Sequence, residues 1–133
     1  MSSSRLNLGS GPSQRQLRVG ELIRRALSEI LARDEVHDPD LNRLSITVGE
    51  VVTSPDLRTA TVHILPLGGE RRVEALAAMK RNKGELKRLI GRMLDLRHTP
   101  DLRFQLDETF DRLDDARRLF ADERVRRDIE PRD

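Results

Sequence analysis

Very few residues in this chain are equipped to do covalent chemistry. Cysteine is absent, which excludes thiolate nucleophiles, disulfides and Cys-based zinc sites. The three histidines, His37, His63 and His98, fall in an expected turn, strand and helix end. None has the H-E-x-x-H spacing or a comparable one that would bring two imidazoles onto one metal. Ser54 lacks the strand-to-helix context of a nucleophile elbow and sits beside Pro55 as a turn residue. Asp38 and Asp40 flank Pro39 in an expected loop, and the Asp114-Asp115 pair falls in an acidic, solvated segment. Gly68-Gly69 is not followed by the Lys-Ser/Thr of a phosphate-binding loop, and no G-x-G-x-x-G occurs. The residues predict no enzyme, no cofactor and no metal.

What remains is binding chemistry, concentrated in "MKRNKGELKRLIGRM", residues 79–93. Six of these fifteen residues are Lys or Arg and only Glu85 is acidic. All three lysines of the protein, Lys80, Lys83 and Lys87, lie here among 22 arginines elsewhere and nearby. Apolar residues recur at helical spacing on both sides of Asn82-Lys83-Gly84, which predicts two helices with a bend between them. On a wheel for residues 84–97, Arg88 and Arg92 oppose the Leu86, Ile90 and Met93 seam, with Gly84 and Gly91 beside them and Lys87 at the flank. Glycines on an exposed face leave backbone bare to a close-approaching phosphate. A helix starting at Gly84 would also aim its N–H groups and positive dipole end into the bend, where Lys80, Arg81 and Lys83 gather. The pattern predicts a phosphate-binding site. With no Trp or Tyr and Phe104, Phe110 and Phe120 read as packing residues, nucleic acid would be held by backbone and shape rather than by stacked rings.

The elements that must position this stretch follow from periodicity. Residues 1–14 form a Ser/Gly-rich tail, expected to be disordered and without the apolar core of a secretory signal. A first helix begins after Pro12-Ser13, buries Val19, Leu22, Ile23, Ala26, Leu27, Ile30 and Leu31, turns Arg18, Glu21, Arg25 and Ser28 outward, and ends near Arg33 ahead of Pro39. "LSITVGEVVT" alternates through Leu44, Ile46 and Val48, then shifts phase at Gly49-Glu50, a strand with a bulge. "SPDL" turns the chain into "RTATVHILP", an antiparallel partner with Ala60, Val62 and Ile64 inward. "LGGE" breaks the chain before a helix with Val73, Leu76, Ala77 and Met79 or Lys80 on its seam. The second helix of the bent pair ends at Thr99-Pro100, near Arg97, and a third strand turns Leu102, Phe104 and Leu106 inward. A short acidic helix with Leu113, Ala116, Leu119 and Phe120 and a loose charged tail complete residues 111–133. Residues 15–110 thus read as one α+β domain, three strands with helices packed on one face.

Net charge is only +2, from 25 basic and 23 acidic side chains, yet the charges are segregated. Cations dominate between Met79 and Phe104, whereas acids dominate from Asp107 to Glu123. No apolar run reaches membrane-spanning length. The reading is a soluble, cytoplasmic monomer whose partner is recognised by local charge.

Several spaced motifs, in order, resemble the bacterial ribosome-binding factor A family over about residues 15–120. "HDPDL" followed by "LSITVGEVVTSPDLRTATVHI" resembles its Asp-Pro-x-Leu turn, first strand, Ser-x-Asp-Leu turn and second strand. Leu96, Arg97, Pro100, Leu102 and Phe104 carry its Leu-Arg-x-x-Pro-x-Leu-x-Phe signature. The resemblance implies a type II KH-like fold in the order α-β-β-α-kink-α-β. Ordinary KH domains grip phosphates with a G-x-x-G loop between two helices; this family replaces the loop with a kink, typically Ala-x-Gly. Asn82-Lys83-Gly84 keeps the Gly and puts Asn in place of Ala, which implies a kink with Asn82 left-handed or capping the following helix. The implied function is a non-enzymatic assembly factor that binds the immature small ribosomal subunit and its rRNA and assists late maturation and 5′-end processing, including in cold adaptation. The RNA-binding candidates are Lys80, Arg81, Asn82, Lys83, Gly84, Lys87, Arg88, Arg92 and Arg97, with Arg18 and Arg25 on the first helix. The residues by themselves also admit a stand-alone KH-like protein for another transcript, or a protein-interaction module that uses its sheet or acidic tail.

Overall fold

A computed structural model of the chain describes residues 11–67 and 71–107. Helix α1, Gln14–Ala32, starts where a helix needs donors satisfied: Ser13 Oγ accepts from the Gln16 N–H, and the Gln16 side chain accepts from the Ser13 N–H in return. This reciprocal pair closes the first turn. Val19, Ile23, Ala26, Leu27 and Ile30 are buried as expected, but Leu22 is 37% exposed and Leu31 is only half-buried against the core. The buried stripe is narrower than the apolar pattern because Gly20 occupies part of it. A Cβ on Gly20 would lie 2.5 Å from the carbonyl oxygen of Val51, so the helix rides directly on strand backbone. Two hydrogen bonds fix its position: Gln16 Nε2 donates to the Thr53 carbonyl at 2.9 Å and Thr53 Oγ1 donates to the Gln16 carbonyl at 3.0 Å.

Strand β1, Ile46–Thr53, pairs antiparallel with β2, Thr59–Pro66, and their register shifts between Val48 and Val51. The bulge expected at Gly49-Glu50 is there, and it turns both Val48 and Thr53 into the interior. Ser54–Leu57 forms the turn: the Leu57 N–H reaches the Ser54 carbonyl, and Asp56 accepts from Ser54 Oγ and the Arg58 N–H. Strand β3, Asp101–Leu106, lies parallel to β2, giving the three-stranded order β1-β2-β3. Parallel neighbours need a long crossover, and the bent helix pair supplies it. Val48, Ala60, Val62, Ile64, Leu102 and Phe104 join the buried faces of the helices in one core.

Three further readings of the sequence need correction. Pro39 does not lie in a loop: it opens a short helix, α2, Pro39–Arg43, with Asp38 as its N-cap. Proline disfavours helical geometry in the residue before it yet suits the first helical position, and here both hold at once. Helix α3, Arg72–Arg81, buries Ala75, Ala78 and Met79, while Val73 is 81% exposed and Ala77 is exposed. Small alanines form the seam, so the bulkier Val73 suggests the wrong phase. Helix α4, Lys83–Met93, starts one residue before Gly84 and stops four residues short of Arg97. At Leu94 the backbone turns extended, and Leu94 and Leu96 pack half-buried against the core. Gly91 is exposed as expected, although a Cβ there would meet Thr99 Oγ1 at 2.9 Å. The expected breaker at Gly68-Gly69-Glu70, the body of the N-terminal tail and the acidic helix and tail after Asp107 lie outside the described residues.

Gly20 and Gly84 separate close packing from helix propensity. Alanine is the better helix former by roughly 1 kcal/mol. Gly20→Ala nevertheless lowers unfolding free energy by about 1–3 kcal/mol through the clash with Val51. Gly84→Ala, with nothing within 4 Å of the new Cβ, raises it by up to about 1 kcal/mol. Urea unfolding of the two variants checks both signs.

Candidate nucleic-acid interface

The joint between α3 and α4 is a single residue. Asn82 has φ −98 and ψ 14, a right-handed conformation, and makes no side-chain cap on α4. Its N–H still donates to the Ala78 carbonyl and its carbonyl accepts from the Leu86 N–H, so helical bonding passes across the bend. The expected left-handed or capping role for Asn82 therefore gives way to another. Its side-chain amide donates to the Ala78 carbonyl at 2.8 Å and to Asp38 Oδ2 at 2.7 Å. Asp38 Oδ2 also accepts from Arg81 Nε at 3.0 Å and Nη2 at 2.8 Å, while Oδ1 accepts from the N–H groups of Asp40 and Leu41. These donors, the Asn82 amide first and Arg81 next, hold the Asp38 carboxyl down to about 2.

Beyond the joint, α4 and the start of β3 enclose a shallow groove of about 450 Å³. Lys83, Gly84 and Lys87 form one wall, Asp101 and Arg103 the other, and Thr59 of β2 closes it. Lys87 Nζ pairs with Asp101 Oδ1. The Asp101 carboxyl is held below the usual carboxylate range, first by that hydrogen bond and charge, and further by Lys83 and Arg103. Three cations thus act on one carboxylate, and Lys83 and Arg103 make no ion pair among the described residues. Gly84 adds open space: its φ is not positive and no atom stands within 4 Å of where a Cβ would be. The glycine therefore provides room rather than a special torsion, on the first turn of a helix with its positive dipole end.

The other candidates do not converge here. Arg81 is committed to Asp38 and Asp40, and Arg88 folds onto Glu85. Lys80 and Arg92 are exposed and without an ion pair among the described residues. Arg97 lines a different cleft together with His98. Arg18 and Arg25 lie on the outer face of α1, where Arg25 pairs with Glu21 at 3.2 Å. Arg103 escapes the sequence reading, although the alternation that turns Leu102 and Phe104 inward also turns Arg103 outward. Among the described residues no group of acids and histidines could hold a metal ion, and no helix is long and apolar enough to cross a membrane.

Residues 15–120 match the profile of ribosome-binding factor A. The chain belongs to the ribosome-binding factor A family. A ribosome-binding factor A of Ruegeria pomeroyi is 64% identical over 130 residues, spanning 98% of this chain and 99% of that one. The crystal structure of ribosome-binding factor A from Thermus thermophilus superposes with a TM-score of 0.59 at 25% identity, over 68% of this chain and 93% of that one. Coordinates of the Thermus thermophilus factor fitted into a cryo-EM map of its 30S complex superpose with a TM-score of 0.53 at 28% identity, over 65% and 89% of the two chains. The ribosome-binding factor A fold is the α+β, type II KH-like arrangement that the sequence implies. The family is one of binding factors, not enzymes.

The folded Asp38 carboxyl lies below its ordinary value of 3.8. Its contribution to stability is therefore complete above about pH 4 and lost as pH falls toward 2. Asp38→Ala lowers the Tm at neutral pH by roughly 5 °C through loss of the cap and the joint contacts. The gap between wild type and variant closes as pH is lowered through that window. Asn82→Ala, which leaves Arg81 and the two backbone donors on Asp38, lowers the Tm by less. Thermal unfolding from pH 7 to pH 2 measures all three chains.

Proposed function

We propose that this chain binds the free or immature small ribosomal subunit through its rRNA and serves as an assembly factor in the cytoplasm, acting as a monomer. Its part is late maturation of the subunit, including processing of the rRNA 5′ end, and it matters most in the cold. Family membership supports the partner, as does the likeness to a relative fitted into a 30S complex. The observation that carries the contact is the groove beside the joint, where Lys83, Lys87 and Arg103 face one carboxylate next to the uncovered backbone of Gly84. Such a groove suits a ribose-phosphate backbone: cations for the phosphates, a helix start for one oxygen, and no side chain to hold the strand away. The absence of Trp and Tyr fits recognition by shape and charge more than by stacking.

Co-sedimentation with free small subunits, large subunits and assembled ribosomes, at low and moderate salt, tests this reading. Wild type pellets with free small subunits in preference to the others, and less so as salt rises. Replacing Lys83 and Arg103 together by Ala weakens that binding about tenfold and lowers the salt slope by about 1.4, two single-strand phosphate contacts. Gly84→Ala also weakens it while leaving the fold intact. Binding that survives the double variant moves the contact elsewhere, and failure to bind any particle overturns the ribosomal role.

A further inference from the structure

At the other end of α4 a second and larger cleft, about 710 Å³, opens between the start of α1, the β1–β2 turn and residues 94–100. The volume lies inside the roughly 300–1,000 Å³ range of small-ligand sites, enough for nucleotides rather than for a duplex. Arg15, Arg58 and Arg97 line it from three different segments. Arg15 and Arg97 make no ion pair among the described residues, and Arg58 reaches Asp56 only at 4.0 Å with its side chain 86% exposed. The acids that share the cleft are mostly engaged. Asp56 Oδ1 accepts from Ser54 Oγ and the Arg58 N–H, and Asp101 is paired with Lys87, which leaves Asp95. Between the guanidinium groups the lining is mixed, with Pro55, Leu57 and Leu96 as its apolar part. Pro55 is exposed in the turn, and Leu57 beside it is half-buried with its backbone left-handed at φ 59. The exposed imidazole of His98 supplies a ring at the rim.

The two concave sites share a wall. Lys87 and Asp101 line both this cleft and the groove beside the joint, so the surface runs from Lys83 and Arg103, over the Lys87–Asp101 pair, to Arg97, Arg58 and Arg15. The geometry points to a second RNA-binding cleft, in which a single strand gripped at the joint continues past Lys87 and seats one or more nucleotides, phosphates on Arg15, Arg58 and Arg97 and bases against the Pro55 and Leu57 lining. Guanidinium planes with apolar surface between them give an unstacked base something to pack on, and a bare anion has no use for that surface. The cleft rests on the RNA-binding reading above and extends it: the ligand is single-stranded, and longer than one groove can hold.

Fluorescence anisotropy of the full chain with labelled oligouridylates of about four and about twelve nucleotides tests the cleft. Wild type binds the long strand about tenfold more tightly than the short one. Arg58→Ala with Arg97→Ala, both exposed positions, abolishes that length-dependent gain and lowers the salt slope for the long strand by about 1.4, with the Tm unchanged. Wild-type affinity of this variant for the long strand, alongside weakening by the Lys83 and Arg103 double variant, overturns the cleft and leaves the ribosomal reading standing. Displacement of the long strand by millimolar inorganic phosphate at constant ionic strength also overturns it, marking a simple anion site. If wild type binds neither oligonucleotide but sediments with small subunits, the single-stranded ligand is wrong and the partner right. If it does neither, both readings fall.

Discussion

The carboxylate of Asp38 is the point on which the rest of the structure turns. It caps α2, takes the guanidinium of Arg81 from the last turn of α3, and takes the amide of Asn82 from the joint itself. Its partners lie 43 and 44 residues away in sequence, so one side chain sets the direction in which α4 leaves α3. A carboxylate that is 13% exposed at its side chain must have its lone pairs met, because an unmet buried charge is costly. Here every donor that meets it is also a structural restraint. Where the family typically has Ala at the first kink position, this chain has a residue whose amide can be anchored, and Asp38 is placed to anchor it.

That restraint also explains why a cluster of cations in sequence is not a cluster in space. Arg81 and Arg88, both exposed, are paired with carboxylates, one to hold the joint and one along α4. Exposed pairs of the latter kind contribute little to stability, but they remove charge from the surface that a phosphate would meet. Near the bend Lys80 and Lys83 stay without an ion pair among the described residues, Lys87 is held by Asp101, and the groove gains a second unpaired cation only because Arg103 arrives from β3. Local charge at the interface is thus set by tertiary structure more than by the density of Lys and Arg along residues 79–93.

Much of this architecture can be read from residue patterns. The first helix, the bulge at Gly49-Glu50, the Ser54–Leu57 turn and the inward faces of β2 and β3 are local, and their periodicities or turn residues announce them. Harder features have specific causes. Pro39 signals the end of one helix and the beginning of another with the same ring. Ala75 and Ala78 bury a seam that apolar size does not mark, and Val73 points to a face that is 81% exposed. The end of α4 at Met93 follows from the need to bring residues 94–100 back to the edge of the sheet, a tertiary demand with no local sign. The Asp38–Asn82 contact and the meeting of Arg103 with Lys83 are long-range, and only the parallel pairing of β2 with β3 brings the latter about.

That parallel pairing also imposes an order of events during synthesis. The helix pair is the crossover between β2 and β3, and Lys83 and Lys87 face Asp101 and Arg103 only after the last strand has docked beside β2. A nascent chain that has emerged as far as α4 has already displayed its lysines, but its groove has a single wall and the seam of Met79, Leu86 and Ile90 has no strand over its β3 side. Non-local closure of this kind is slow compared with helix formation. The chain therefore completes this groove late, as one of the last consequences of folding, and an unfinished polypeptide offers a scattered positive charge in place of a shaped groove.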